Sequence, residues 1–437
     1  MNMDIVEAVE AETTTFEQLR RFLFTRAPLK QIWLIGALAF NLIRTPFLFL
    51  YYLPVSTRPC ASWTYEQAIR VRLFKAAVFN LAFTELSPAL SLKPGKDGDR
   101  FMCMKPAKPD LYQVEPLGVD DSVKPLVVGG TWYPRRPTMG DDVQLVVLHF
   151  HGMCIMLWHL HVRGSILTTS RTGGAFIANT GRTHEGGSVA SMVLEQTKAS
   201  HVFMPQYRLS SHVDCQFPAA LQDAITSYCY LTQELGVPGS KIILSGDSAG
   251  GNLVLALLRY FADYGERFKL QVPSAAWLWY VLRSKSWTVF NKVSRSPWVD
   301  PTNSYRSTSY YNSFPTVPTD YLTSRFGTWG ARQYAPNPSK TSLTIRHPYI
   351  SFVGAAFQTP VPMFIQSGSC EVLSLDIFKL YEEMRDIKGN RAELHILDGH
   401  PHDTFYHGKQ LGFQDDVAKV TRRAWQWTEE VTRAHST

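Results

Sequence analysis

Five residues, Gly246-Asp247-Ser248-Ala249-Gly250, constrain this chain more than any other stretch, because of what flanks them. Lys241-Ile242-Ile243-Leu244 reads as a short buried strand, and the run from Gly251 to Leu258 opens a helix. A serine between glycines at such a junction is forced onto a tight turn. Small neighbours avoid clashes there, and the N-terminus of the following helix favours negative charge developing beside the hydroxyl. G-x-S-x-G alone is a weak signal. In this context it marks Ser248 as a candidate nucleophile.

Elsewhere, strand-like and helical runs alternate. Strands are predicted over Val143–Phe150, Val202–Tyr207, Lys241–Ser245, Pro362–Gln366 and Glu393–Leu397, and helices over Ala219–Leu235, Asn252–Tyr264, Ile377–Ile387 and Asp416–Thr432. That alternation argues for an α/β fold, a mainly parallel central sheet covered by helices on both faces. With 437 residues, 45% of them hydrophobic, the core is not limiting. The net charge of +7 comes from scattered Lys and Arg without a basic block, which argues against nucleic acid as a partner. The six cysteines include no C-x-x-C pair, so neither a zinc site nor a disulfide scaffold is expected, and no metal or cofactor is called for.

The N-terminus is different. A polar lead runs into the apolar stretch 32–53, long enough to span a bilayer and preceded by Arg20, Arg21, Arg26 and Lys30. Arg44-Thr45-Pro46 splits it into runs of 12 and 7 residues, so a kinked helix packed on the enzyme or lying in the interface is the competing reading. Membrane association through 32–53 is expected, as a single-pass or interfacial anchor in a compartment such as the endoplasmic reticulum; a cytoplasmic chain is the alternative. From Trp63 to Phe83 apolar residues recur at helical spacing, and Leu90–Asp99 reads as a linker. The expected organisation is therefore 1–54 polar lead and hydrophobic segment, 55–100 cap helix and linker, and 101–437 catalytic domain.

A serine hydroxyl is inert near neutral pH unless an imidazole takes its proton and a carboxylate orients that imidazole. Two carboxylates, Glu371 and Asp376, follow the strand at 362–366, and Asp376 reads better as a helix N-cap. Two histidines, His400 and His402, follow the strand at 393–397, while the others, including His159, His161 and His407, read as surface or packing residues.

Several ordered motifs together resemble the hormone-sensitive-lipase group of α/β-hydrolases, especially its fungal esterase-like members: His151-Gly152 ending a strand, Gln206-Tyr-Arg-Leu209 ending another, Phe217-Pro-Ala-Ala-Leu-Gln-Asp223 opening a helix, and Gly246 to Gly251. The likeness covers about residues 55–435. Gln206 departs from it, since the group usually carries Asp there. The resemblance implies an α/β-hydrolase fold with an N-terminal helical cap and a catalytic set of Ser248, Glu371 and His402, the last preceding Asp-x-Phe as in the group. It implies cleavage of a small hydrophobic ester through an acyl-enzyme. Relatives that bind ligands without catalysis have lost the histidine, which this chain retains. The sequence does not fix oligomeric state.

The oxyanion hole is the discordant part. Ala249 supplies one amide, and the group draws others from His-Gly-Gly-Ala/Gly-Phe. Here His151-Gly152 runs into Met153-Cys154, and Gly173-Gly174-Ala175-Phe176 follows later. Gly152, Met153, Gly174 and Ala249 are therefore the candidate donors. Removing Met153–Gly173 restores His-Gly-Gly-Ala-Phe, and removing Tyr280–Arg295 restores a second stretch resembling relatives, Leu-Trp-Ser-Pro-Trp-Val-Asp. Gly-Met-Cys and Trp-Tyr-Val can both be encoded around GTATGT, a typical fungal intron start. Retained introns at 153–173 and 280–295 are the expectation; genuine surface insertions are the alternative.

Overall fold

A computed structural model describes residues 15–138, 141, 143–152, 154–155, 172–173, 175–177, 179–279, 301–302, 311 and 314–433. The suspected insertion at 280–295, and Met153, Gly174, His159 and His161, lie outside these residues.

The molecule is organised around an eight-stranded sheet. In chain order its strands are β1 (Phe101–Met104), β2 (Val128–Tyr133), β3 (Val146–Phe150), β6 (His201–Gln206), β7 (Ile242–Asp247), β8 (Ala275–Trp279), β9 (Met363–Gly368) and β10 (Ala392–Leu397). Across the sheet they run β1-β2-β6-β3-β7-β8-β9-β10. β1 and β2 are antiparallel, and the six from β6 to β10 are parallel. Two-residue strands β4 (Cys154–Ile155) and β5 (Thr172–Gly173) pair antiparallel apart from the main sheet, so the ends of the suspected insertion at 153–173 meet.

Period-two alternation delivers side chains to two cores. Along β3 and β7, Val146, Leu148, Ile242 and Leu244 face one side, packing with α5 (Ala219–Cys229), α6 (Ala249–Tyr264) and α8 (Ser374–Arg385). Val147 and Ile243 face the other, against α4 (Thr183–Gln196) and α10 (Gln414–Arg433). Both faces are thus covered, as parallel sheets require. β2, β8, α4, α7 (Ser324–Tyr334) and α9 (Thr404–Leu411) add elements that no sequence signal announced.

Three helices precede the sheet: α1 (Thr15–Phe24), α2 (Leu29–Tyr52) and α3 (Tyr65–Thr84). Thr64 starts α3 with a capping box, its hydroxyl accepting from the Gln67 amide at 3.1 Å while Gln67 Oε1 accepts from Thr64 N–H at 2.9 Å. Charge pairs tie this group to α7: Glu17 meets Arg325 at 2.8 Å, and Glu85 meets Arg20 at 3.2 Å and Arg332 at 3.3 Å. α7 therefore packs with the N-terminal helices. α2 continues through Pro46 as one helix, with Ile35, Ile43 and Leu50 each more than 60% exposed. Among the described residues it is the one helix long and apolar enough to cross a membrane.

The 90–99 segment is strapped to the sheet. Arg182 donates to the carbonyls of Ser91, Lys93 and Pro94 and to Asp97, while Gln206 accepts from Arg182 Nε at 2.9 Å and donates to the Ser91 carbonyl at 3.0 Å. Gln206, the departure noted in the sequence, thus serves as a neutral clamp on an arginine whose charge Asp97 already meets.

Candidate active site

The carboxyl ends of the parallel strands β7, β9 and β10 lead into Ser248, Glu371 and His402, the position where open α/β sheets place their sites. β7 ends in Asp247, Ser248 sits at φ 48° and ψ −115°, and Ala249 begins α6. A serine holds this unfavourable conformation only because its surroundings over-determine it. Gly246 and Gly250 make the turn feasible: a Cβ on Gly250 would run into the Phe150 carbonyl of β3, and one on Gly246 into Gly250 itself.

Ser248 Oγ lies 2.9 Å from His402 Nε2, and His402 Nδ1 lies 2.7 Å from Glu371 Oε2. All three are buried. His400 points elsewhere, to Thr404 Oγ1 at 3.0 Å and Asp416 at 3.4 Å. Asp376 lies in the first turn of α8. His407 packs between Phe74 of the cap and Tyr321, consistent with a packing residue.

Burial pushes the His402 imidazole below its ordinary value of 6.5, with His407 acting in the same direction and Asp247 opposing. A neutral imidazole is the form that can accept the serine proton. The folded pKa is depressed, so protonation disfavours the folded, competent form as pH falls, and loss begins below 6.5 rather than above it. The acid limb of kcat/KM, measured from pH 4 to 8, is therefore expected below pH 6.5; a midpoint near 7 would mean the Glu371 carboxylate outweighs burial.

Two buried carboxyls that the sequence did not flag hold this arrangement. Asp320 Oδ1 accepts from the amides of Tyr321 at 2.7 Å, Leu322 at 3.3 Å and His402 at 3.3 Å, while Oδ2 accepts from Val372 at 2.8 Å. One side chain thereby joins the loops of the acid and the base. Burial pushes Asp320 up to about 6, against the pull of these amides and of Lys75 on α3. Asp320→Ala leaves several buried amides unpaired, each worth roughly 1–3 kcal/mol, so a loss of several kcal/mol in a denaturant titration is expected. A denaturant midpoint unchanged from the parent would show that Asp320 is dispensable.

Asp403 lies against Asp247. Burial and that neighbouring carboxylate push the Asp403 carboxyl well above the usual range. Asp247 also accepts the Gly152 amide at 2.7 Å and lies 3.0 Å from His149 Nε2; His149 Nδ1 in turn lies 2.9 Å from Ser245 Oγ. The one available signal was adjacency, since Asp247 and Asp403 each neighbour a reactive residue. Stacking reinforces the link: Trp279 at the end of β8 lies parallel to Phe405 of α9 at 4.0 Å.

The Gly152 contact corrects one expectation. Its N–H is spent on Asp247 rather than aimed at an oxyanion. Ala249 does sit at a helix N-terminus, where amides face the nucleophile's turn. Ala175 and Phe176 both lie at positive φ, 55° and 60°, unfavourable for residues bearing a Cβ.

A family profile described as alpha/beta hydrolase fold matches residues 172–406, beginning at the far end of the suspected insertion. Human hormone-sensitive lipase is 29% identical over 135 residues, 30% of this chain and 10% of the lipase. An AB hydrolase superfamily protein of Schizosaccharomyces pombe is 26% identical over 239 residues, 53% of this chain and 60% of that protein. The alignments thus span a tenth and three-fifths of these relatives. A solved Pyrobaculum calidifontis esterase matches with a TM-score of 0.51 at 18% identity, over 82% of this chain and 92% of the esterase, a likeness of fold.

Proposed function

The chain belongs to the alpha/beta hydrolase fold family, and from that premise we propose that it cleaves carboxylic esters of a hydrophobic substrate through an acyl-enzyme on Ser248. The observation carrying this reading is the unbroken relay from Ser248 Oγ through His402 to Glu371. His402 Nε2 takes the serine proton as Oγ attacks the ester carbonyl. Glu371 stabilises the resulting imidazolium. Collapse of the tetrahedral intermediate returns that proton to the leaving alcohol, and water activated by His402 then releases the acid. The cap supports an apolar acyl group: Phe74 of α3 packs edge-on against Tyr321 at 4.7 Å, and Tyr321 lies edge-on to His402 at 5.8 Å.

The turned-away Gly152 amide favours a second reading, a ligand-binding or catalytically impaired member of the fold. A fluorophosphonate probe separates the two. Labelling of Ser248, mapped by peptide mass spectrometry, is expected; a well-folded protein in which Ser248 stays unlabelled would overturn the enzyme assignment.

In the same reading α2 attaches the enzyme to a membrane. Its exposed apolar surface runs from Ile32 to Leu53, with the basic residues Arg20, Arg21, Arg26 and Lys30 ahead of or at its start. The full chain is expected in the pellet after carbonate extraction. Recovery in the supernatant would limit α2 to a peripheral or packing role.

A further inference from the structure

Two of the thiols that the sequence presents as unconnected are neighbours. Cys60 lies in the turn between α2 and α3 and is partly exposed; Cys370 is buried, immediately before Glu371. Both pack on the same short stretch of the histidine loop. Cys370 N–H donates to the His400 carbonyl at 2.9 Å, and a Cβ built on Gly399 would lie 3.9 Å from Cys60 Sγ. Cys60 Sγ is 3.1 Å from Ser62 Oγ, and the Cys60 and Cys370 side chains act on each other electrostatically.

We propose that Cys60 and Cys370 are an oxidisable pair, a disulfide site that ties the segment between α2 and α3 to the loop carrying Glu371. A disulfide needs the two Cβ atoms about 4 Å apart, and both residues sit against the same pair, Gly399 and His400. The two partners differ in access: Cys60 is partly exposed, where a glutathione molecule can reach it, and Cys370 is buried. Hydrogen bonds from Cys370 and Ser62 hold Cys60 down at about 6, while Cys60 and burial push Cys370 up.

With glutathione disulfide as oxidant the step balances. The Cys60 thiolate attacks one glutathione sulfur, forming a mixed disulfide as the glutathione S–S bond breaks and one thiolate leaves. Cys370 gives up its proton and attacks Cys60 Sγ, displacing the second glutathione. Two protein thiols are oxidised, and one glutathione disulfide is reduced to two thiols.

This inference is independent of the hydrolase reading, because its readout is a covalent bond and needs no substrate. The folded full-length protein is equilibrated in glutathione buffers of graded ratio, alkylated, digested without reductant and mapped by mass spectrometry. A peptide pair joined through residues 60 and 370 is expected, with two thiols lost to Ellman's reagent in the parent. In Cys60→Ser the link is absent and Cys370 remains reduced. Glutathione on both residues without a crosslink, or a link from either to Cys103, Cys215 or Cys229, would overturn the proposal.

Discussion

Ser248→Ala is expected to lower kcat on a p-nitrophenyl ester by a factor on the order of 10⁴ or more, about 5 kcal/mol of transition-state stabilisation, while circular dichroism stays unchanged. Among the described residues, the two ring nitrogens of His402 are committed to Ser248 and Glu371. Alanine removes one oxygen and leaves intact the β7-to-α6 turn, which is held by glycine contacts and by Asp247 rather than by the hydroxyl. His402→Ala should lose a comparable factor, and the double variant should be scarcely worse than either single one, because residues acting as a unit are non-additive. Additive losses in the double variant would indicate that the two side chains act separately.

Excising Met153–Gly173 is expected to raise kcat by about a hundredfold or more. An oxyanion donor is typically worth that much, and as written the chain turns the Gly152 amide to Asp247. The excision is geometrically plain, since the two ends of the segment already pair as β4 and β5. It also joins Gly152 to Gly174-Ala175-Phe176, restoring the run of small residues that the site calls for. The backbone there then carries a glycine where tight amide geometry is needed, beside Ala175 and Phe176 at positive φ. The comparison of the two forms by stopped-flow acylation decides the matter. A shortened protein that folds but reacts no faster would mean the written chain completes its own oxyanion hole, and spliced reads absent from the transcript would reject the intron account.

The parts of the fold that the sequence made legible are those in which one local rule dominates. β7 and α6 flank the glycine-bounded serine, and β3, β6 and β9 are short, largely apolar runs whose residues alternate between the two cores. The missed elements carry residues that argue against themselves locally. β2 contains Gly129-Gly130, and α4 contains Gly186-Gly187 because a Cβ at Gly186 would strike the Met204 sulfur of β6. Such glycines record close tertiary approach, which no window of sequence reports.

The site divides the same way. Ser248, His402 and Glu371, expected from the residue types and order that the chemistry demands, are brought into one hydrogen-bonded line. Asp320 could not, because its role is to accept amides from loops far away in the chain, and a lone Asp carries no pattern. Asp403 was visible only as part of a motif; that its carboxyl is pushed upward follows from its burial against Asp247.

The short turn ahead of α3 has a practical consequence. Trp63 Nε1 donates to the Gly399 carbonyl, and Ser62 packs against the same glycine, three residues before His402. Cutting the chain at residue 65 to obtain a more tractable protein would therefore do more than discard an apolar helix. It would remove one wall of the groove that seats the histidine loop. A truncated preparation with weak activity would say little about the intact enzyme, whereas one that keeps Cys60 to Thr64 and loses only α1 and α2 would make a fair comparison.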